Sequence, residues 1–195
     1  MRIRPADADA LAGGATVLRQ GGIVIYPTES YYGAAVSALD AEAVAGLVAA
    51  KGRPSDQPLP LILPDRVALQ QVVLAVPARA RELMDAHWPG PLTLVLPARP
   101  DLPAALVGPH GVGVRLSPHP VAAGLAVAFG GPITATSANR TGAPPARTAE
   151  AAAAALPAAA LTLDGGQTPG GAPSTVLAVD HEGRLTVLRQ GALHV

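Results

Sequence analysis

Two cations, Lys51 and Arg53, stand two residues apart just ahead of a proline-bounded loop that runs from Pro54 to Pro58. Such a pair suits the oxygens of a di- or triphosphate, because a guanidinium forks around two oxygens while a compact ammonium sets a point charge beside one. The pair equally suits a helix C-terminus, where cations offset the dipole, and spacing alone does not separate the two roles. Composition tips the balance toward chemistry. Arginine outnumbers lysine thirteen to one, Lys51 is the only lysine and Asn139 the only asparagine. A bias that removed these types wherever a substitute served leaves survivors where replacement fails, the bland alternative being chance survival on the surface.

Three more polar clusters follow stretches that read as strands: Pro27-Thr28-Glu29-Ser30-Tyr31-Tyr32-Gly33, Arg115-Leu116-Ser117-Pro118-His119-Pro120 and Thr136-Ser137-Ala138-Asn139-Arg140-Thr141-Gly142. Open α/β sheets bind ligands at the carboxyl ends of their strands, so the four clusters could converge on one cleft. Taken alone, the first is a turn rich in hydroxyls. Asn139 offers a paired donor and acceptor to a base or ribose, or closes an Asx-turn. His119, bracketed by prolines, serves equally as a turn residue or a ligand contact. The stretch Gly165 to Gly171 lacks the lysine and hydroxyl of a P-loop and reads as a plain turn. Spacing supports no Ser-His-Asp arrangement.

Other chemistries are excluded by composition. The chain has no cysteine, which removes disulfides, thiolate catalysis and cysteine-ligated zinc. Its five histidines show no i, i+4 spacing, which argues against a zinc hydrolase. Formal net charge is zero, against the strongly basic balance of a dedicated nucleic-acid binder. No stretch approaches the roughly 18 to 20 apolar residues that span a bilayer, and Met1 to Asp9 lack a signal peptide's apolar centre. The expectation is a cytoplasmic protein with no membrane partner. At 195 residues, one domain over 1–195 is expected.

The elements that must position the clusters alternate. Helical periodicity covers 8 to 20, and the apolar run Gly22 to Tyr26 suits a strand covered on both faces. Asp40 is placed to cap a helix through Ala50, leaving Lys51 and Arg53 at its exit. Further strands are expected at 59–63, 92–96, 113–116, 133–136, 175–179 and 184–188, and helices at 66–74, 78–87, 119–129 and 148–156. This order predicts an α/β fold with a mostly buried mixed sheet.

Together and in this order, the four clusters resemble the YrdC-like family of threonylcarbamoyl-AMP synthases. The resemblance also rests on Trp88-Pro89-Gly90-Pro91-Leu92-Thr93, Leu163-Asp164-Gly165-Gly166, Pro173-Ser174-Thr175 and Leu188-Arg189-Gln190-Gly191, so it spans nearly the whole chain. It implies a twisted mixed sheet flanked by helices around a deep, positively charged cleft. It also implies formation of threonylcarbamoyl-AMP and pyrophosphate from L-threonine, bicarbonate and ATP, with Mg²⁺, for tRNA threonylcarbamoyladenosine modification. A downstream tRNA threonylcarbamoyl-transferase complex would take the product. Lys51, Arg53, Gln57, Arg115, Asn139, Arg147 and Arg189 would match ATP-binding positions, with Lys51, Arg53, Ser137 and Asn139 as the functional core. Ser30, His119, Ser137 and Ser174 would match positions near threonine.

The chain is similar to the short bacterial, TsaC-like form. Ser30 stands where many members carry threonine, and Ile62 where longer members carry a threonine-contacting histidine. Two other readings compete: a double-stranded RNA or tRNA-binding module, including weak tRNA binding, and a carbamoyl-transfer domain of a maturation factor. Zero net charge and few aromatic residues count against the first. Such maturation domains normally sit inside much larger chains.

Overall fold

The computed structural model describes residues 2–54 and 57–194. In chain order the strands are β1 (Arg2–Pro5), β2 (Val24–Pro27), β3 (Tyr32–Ala35), β4 (Leu61–Ile62), β5 (Leu92–Leu96), β6 (Val107–Gly108), β7 (Gly111–Arg115), β8 (Ile133–Thr134), β9 (Thr136–Ser137), β10 (Leu161–Asp164), β11 (Thr175–Val179) and β12 (Leu185–Arg189). The α-helices are α1 (Ala8–Arg19), α2 (Ala41–Lys51), α3 (Ala78–His87), α4 (Pro120–Phe129) and α5 (Ala149–Ala155).

The helices begin where side chains satisfy their first N–H groups. Asp7 accepts from Ala10 at the start of α1, and Asp40 accepts from Glu42 and Ala43 at the start of α2, each relieving orphan donors. α2 closes on Gly52, whose φ of 58° lies in the left-handed region that a Cβ disfavours. α1 packs closely on α4, since a Cβ at Gly14 would lie 2.8 Å from Leu125. Leu18 and Leu125, both fully buried, anchor that contact, each contributing about 1.5–3 kcal/mol of burial.

The expected α/β fold with a mixed sheet is present, and its hydrogen bonding divides it in two. One sheet runs β1-β10-β2-β3-β9, and the other runs β12-β11-β5-β7-β4-β8 with β6 beside β7. Both mix parallel pairs, such as β10 with β2, and antiparallel ones, such as β2 with β3. β2 is covered on both faces, as its apolar run implies: Ile25 enters one core cluster, while Val24 and Tyr26 enter the other.

Several boundaries differ from the sequence expectation, for identifiable reasons. The strand expected at 59–63 is only Leu61–Ile62, because Pro60 has no N–H and Leu59 donates instead to the Ala105 carbonyl. The helix expected at 66–74 is a 3-10 turn over Val67–Gln71, after which Leu74 donates to Pro97. The strand expected at 133–136 is two strands in different sheets, parted at Ala135, whose N–H goes to the Pro60 carbonyl at 2.7 Å. β1, β3, β6 and β10 have no counterpart in that expectation.

Candidate active site

Where the two sheets meet, a cavity of about 440 Å³ opens. The tip of the β2–β3 hairpin forms one wall. Thr28 Oγ1 shapes it, accepting from the N–H groups of Ser30 and Tyr31 at 3.2 Å and donating to the Tyr31 carbonyl at 2.6 Å. This hydroxyl-braced turn presents Glu29 and Ser30 to the cavity.

Opposite stands Arg115, the last residue of β7 and only 7% exposed. Its guanidinium donates to both oxygens of Glu29, at 2.5 and 3.4 Å, a forked ion pair that joins the two sheets. Arg53 and Arg189 also line the cavity, but neutral oxygens hold them. Arg53 donates to the carbonyls of Gln57 at 2.7 Å and Pro58 at 3.2 Å. Arg189, ending β12, donates to the Ser174 carbonyl at 2.8 Å and to Ser174 Oγ at 3.2 Å. Ser174 Oγ in turn shares a 2.9 Å hydrogen bond with Thr93.

Lys51 sits behind this lining. It ends α2, is 2% exposed, and its ammonium donates to the carbonyls of Ser137 at 2.5 Å and Asn139 at 2.6 Å. Its own carbonyl accepts from Thr141, so the residue is tied to the 137–141 loop at both ends. Burial, reinforced by the nearby Arg53 charge, pushes its pKa down to about 8. Asn139 is also buried and donates through Nδ2 to the carbonyls of Arg140 at 3.0 Å and Ala143 at 2.5 Å. Its Oδ1 is buried without a hydrogen-bond partner among the described residues, a state that costs energy unless something else donates to it.

Of the residues singled out from sequence, Ser30, Arg53, Arg115, Ser137, Ser174 and Arg189 meet on the cavity wall. Lys51 and Asn139 hold the loop behind Ser137. His119 caps α4, its Nδ1 accepting from the Val121 N–H at 3.3 Å, and lies outside the lining. Gln57 is exposed and contributes its carbonyl to Arg53. Arg147 braces the glycine-rich loop, donating to Thr168 at 2.9 Å, while Gly170 of that loop donates to the Ser30 carbonyl at 2.8 Å. Gly171, at the loop's far end, reaches the cavity. Ile62 is wholly buried in a core cluster with Tyr26 and Ile133. Glu29 and Thr93 were missed, although Glu29 lies inside a cluster already marked by its hydroxyls.

Three guanidiniums and several hydroxyls thus line one cavity between the two mixed sheets of an α/β protein. The chain belongs to the Sua5/YciO/YrdC family, whose model, described as "Telomere recombination", matches residues 16–191. A threonylcarbamoyl-AMP synthase of Bacillus subtilis is 41% identical over 170 residues, covering 86% of this chain and 49% of that protein. One from Halorhodospira halophila is 46% identical over 134 residues, covering 68% and 70%. The chain thus spans about half the length of the first and 70% of the second. Among solved structures, P. abyssi Sua5 complexed with L-threonine superposes with a TM-score of 0.88 at 35% identity, over 98% of this chain and 57% of that one. E. coli YciO, at 24% identity and a TM-score of 0.81, shares the fold.

Proposed function

We propose that this chain is an L-threonylcarbamoyladenylate synthase, a nucleotidyltransferase serving tRNA threonylcarbamoyladenosine modification in the cytoplasm. The observation that carries this reading is the convergence of Arg53, Arg115 and Arg189 with Ser30, Ser137 and Ser174 on one cavity. It is supported by similarity to proteins named for that activity and to a Sua5 structure that holds L-threonine. No helix among the described residues is long and apolar enough to cross a membrane.

In the reaction, the free amine of L-threonine takes up bicarbonate to give a carbamate and water. A carbamate oxygen then attacks the α-phosphorus of ATP, the bond from that phosphorus to the bridging oxygen breaks, and pyrophosphate leaves. The nucleophile is already an anion, so catalysis rests on bringing two anions together and neutralising charge as it builds on phosphorus. The three arginines supply that charge, with Lys51 adding to it from behind the Ser137 loop. Ser30, Ser137 and Ser174 meet threonine on the cavity wall and Asn139 offers its unpartnered Oδ1 to the nucleotide, while Gln57, Arg147 and His119 act from outside the lining by positioning Arg53, the glycine-rich loop and α4.

Magnesium fits the protein poorly. The described residues contain no group of three His, Asp or Glu that could hold a metal ion, and the carboxylate of Glu29 is engaged by Arg115. Mg²⁺ therefore belongs to the nucleotide's phosphates as part of the substrate, in keeping with its preference for phosphate and water ligands.

The test is incubation with ATP, bicarbonate and a panel of amino acids, read by mass spectrometry and pyrophosphate release. Threonylcarbamoyl-AMP should form with L-threonine and without tRNA. Pyrophosphate release that is indifferent to threonine, or that strictly requires tRNA, would overturn the reading.

A further inference from the structure

Glu29 is the only carboxylate lining the cavity among the described residues, and it shares that lining with three guanidiniums, of which it pairs with Arg115. For a site that bound only a polyphosphate, this charge would be a defect, since it opposes the ligand's own charge. Nor does guanidinium placement require it: Arg53 and Arg189 are held in the same cavity by neutral carbonyls and a hydroxyl. Arg115 alone is given a carboxylate. The negative charge therefore does something that a carbonyl would not.

A carboxylate has about four acceptor directions, and the forked pair with Arg115 takes one on each oxygen. The Glu29 side chain remains 26% exposed and borders the cavity, beside the Ser30 hydroxyl. Thr28 braces the turn that carries it, so the carboxylate is presented from a fixed backbone. A half-buried carboxylate with free acceptor sites, set next to hydroxyls and opposite arginines, is complementary to a zwitterion. Its cationic end meets Glu29 and its anionic end meets the guanidiniums.

We propose that Glu29 is the binding residue that recognises the α-ammonium group of the amino-acid substrate, making the cavity selective for a zwitterion over an acid without the amine. This rests on the reading of the cavity as an amino-acid site but assigns a role to a residue that the reading left unused.

The test is calorimetric titration of the full chain and its Glu29→Gln variant with L-threonine, with its des-amino counterpart 3-hydroxybutanoate, and with a non-hydrolysable ATP analogue. Glu29→Gln should weaken L-threonine at least about tenfold, the loss of one charge-assisted bond. It should abolish the wild-type preference for threonine over 3-hydroxybutanoate and leave the ATP analogue equally or more tightly bound. Threonine affinity within twofold of wild type would overturn the proposal. So would a parallel loss of all three ligands, which would show that Glu29 only places Arg115. Should Glu29→Gln not fold, Glu29→Asp carries the test: pulling the carboxylate back by one methylene must weaken threonine more than 3-hydroxybutanoate. A wild type that selects another amino acid through Glu29 would overturn the threonine assignment and support this one. A wild type indifferent to the ammonium would overturn this one.

Discussion

The ammonium of Lys51 lies 2.5 Å from the carbonyl oxygen of Ser137, so the chain's only lysine is bonded to the backbone beside the cavity. The sequence suggested an ammonium set against phosphate oxygens. In the structure its near partners are two peptide carbonyls, and its charge would reach a nucleotide from behind them.

Lys51→Ala should therefore cost stability as well as activity. It leaves the carbonyls of Ser137 and Asn139 without their donor, and a buried unsatisfied acceptor costs about 1–3 kcal/mol. Lys51→Arg brings a planar fork into a fully enclosed space beside Arg53, and should lower kcat/KM at least about tenfold. Urea unfolding and pyrophosphate release measure the two effects. A Lys51→Arg enzyme with wild-type turnover and stability would refute the assignment.

Lys51 also predicts a pH dependence. Burial brings its pKa down to about 8 in the folded chain from an ordinary 10.5, so between those limits the unfolded chain holds more protons. Stability from this group is thus fully present above 10.5 and is lost as pH falls through 8. The charge offered to phosphate behaves oppositely, fading as pH rises. Affinity for an ATP analogue should weaken above pH 8 in the wild type and stay level in Lys51→Met, as fluorescence titration across pH would report.

Asn139→Ala should loosen the 139–143 turn. The substitution removes two hydrogen bonds, to Arg140 and Ala143, and should cost about 1–3 kcal/mol. If Oδ1 serves the nucleotide, KM for ATP rises while KM for threonine holds. Equal rises in both would assign the residue to loop structure alone.

His119 should matter chiefly to α4. Its Nδ1 accepts from Val121, and loss of a helix N-cap typically costs about 1 kcal/mol. Burial holds its pKa below the ordinary 6.5, with Glu29 pulling weakly the other way. Below 6.5 the unfolded chain takes up a proton that the folded chain resists, so stability falls as pH drops through the folded value. His119→Asn should keep the cap and flatten this part of the pH profile in thermal melts.

Much of the fold was legible because local chemistry and tertiary demand agree. β5, α3 and β11 coincide with the stretches expected at 92–96, 78–87 and 175–179, at Leu92–Leu96, Ala78–His87 and Thr175–Val179. β3 was read as part of a turn because Tyr31 and Tyr32 follow three polar residues. Its strand is secured by pairing with β2 and β9, which no local signal encodes. The site residues were legible as types, but not their arrangement. Nothing in the spacing says that Lys51 faces carbonyls, that His119 turns to its own helix, or that Glu29 reaches Arg115 across 86 residues.

The chain passes from one sheet to the other within Ile133–Thr134 and Thr136–Ser137, with Ala135 alone between them. Ser137 and Glu29 ride on the first sheet, and Arg115, Ser174 and Arg189 on or beside the strands of the second. The gap between substrate groups is thus set like the opening of a caliper, with residues 133–137 near its pivot. Buried residues behind the lining, such as Leu61 paired with Val114 and Thr134, calibrate that instrument. A small change in how the sheets seat on each other alters the spacing between jaws while every jaw residue stays intact.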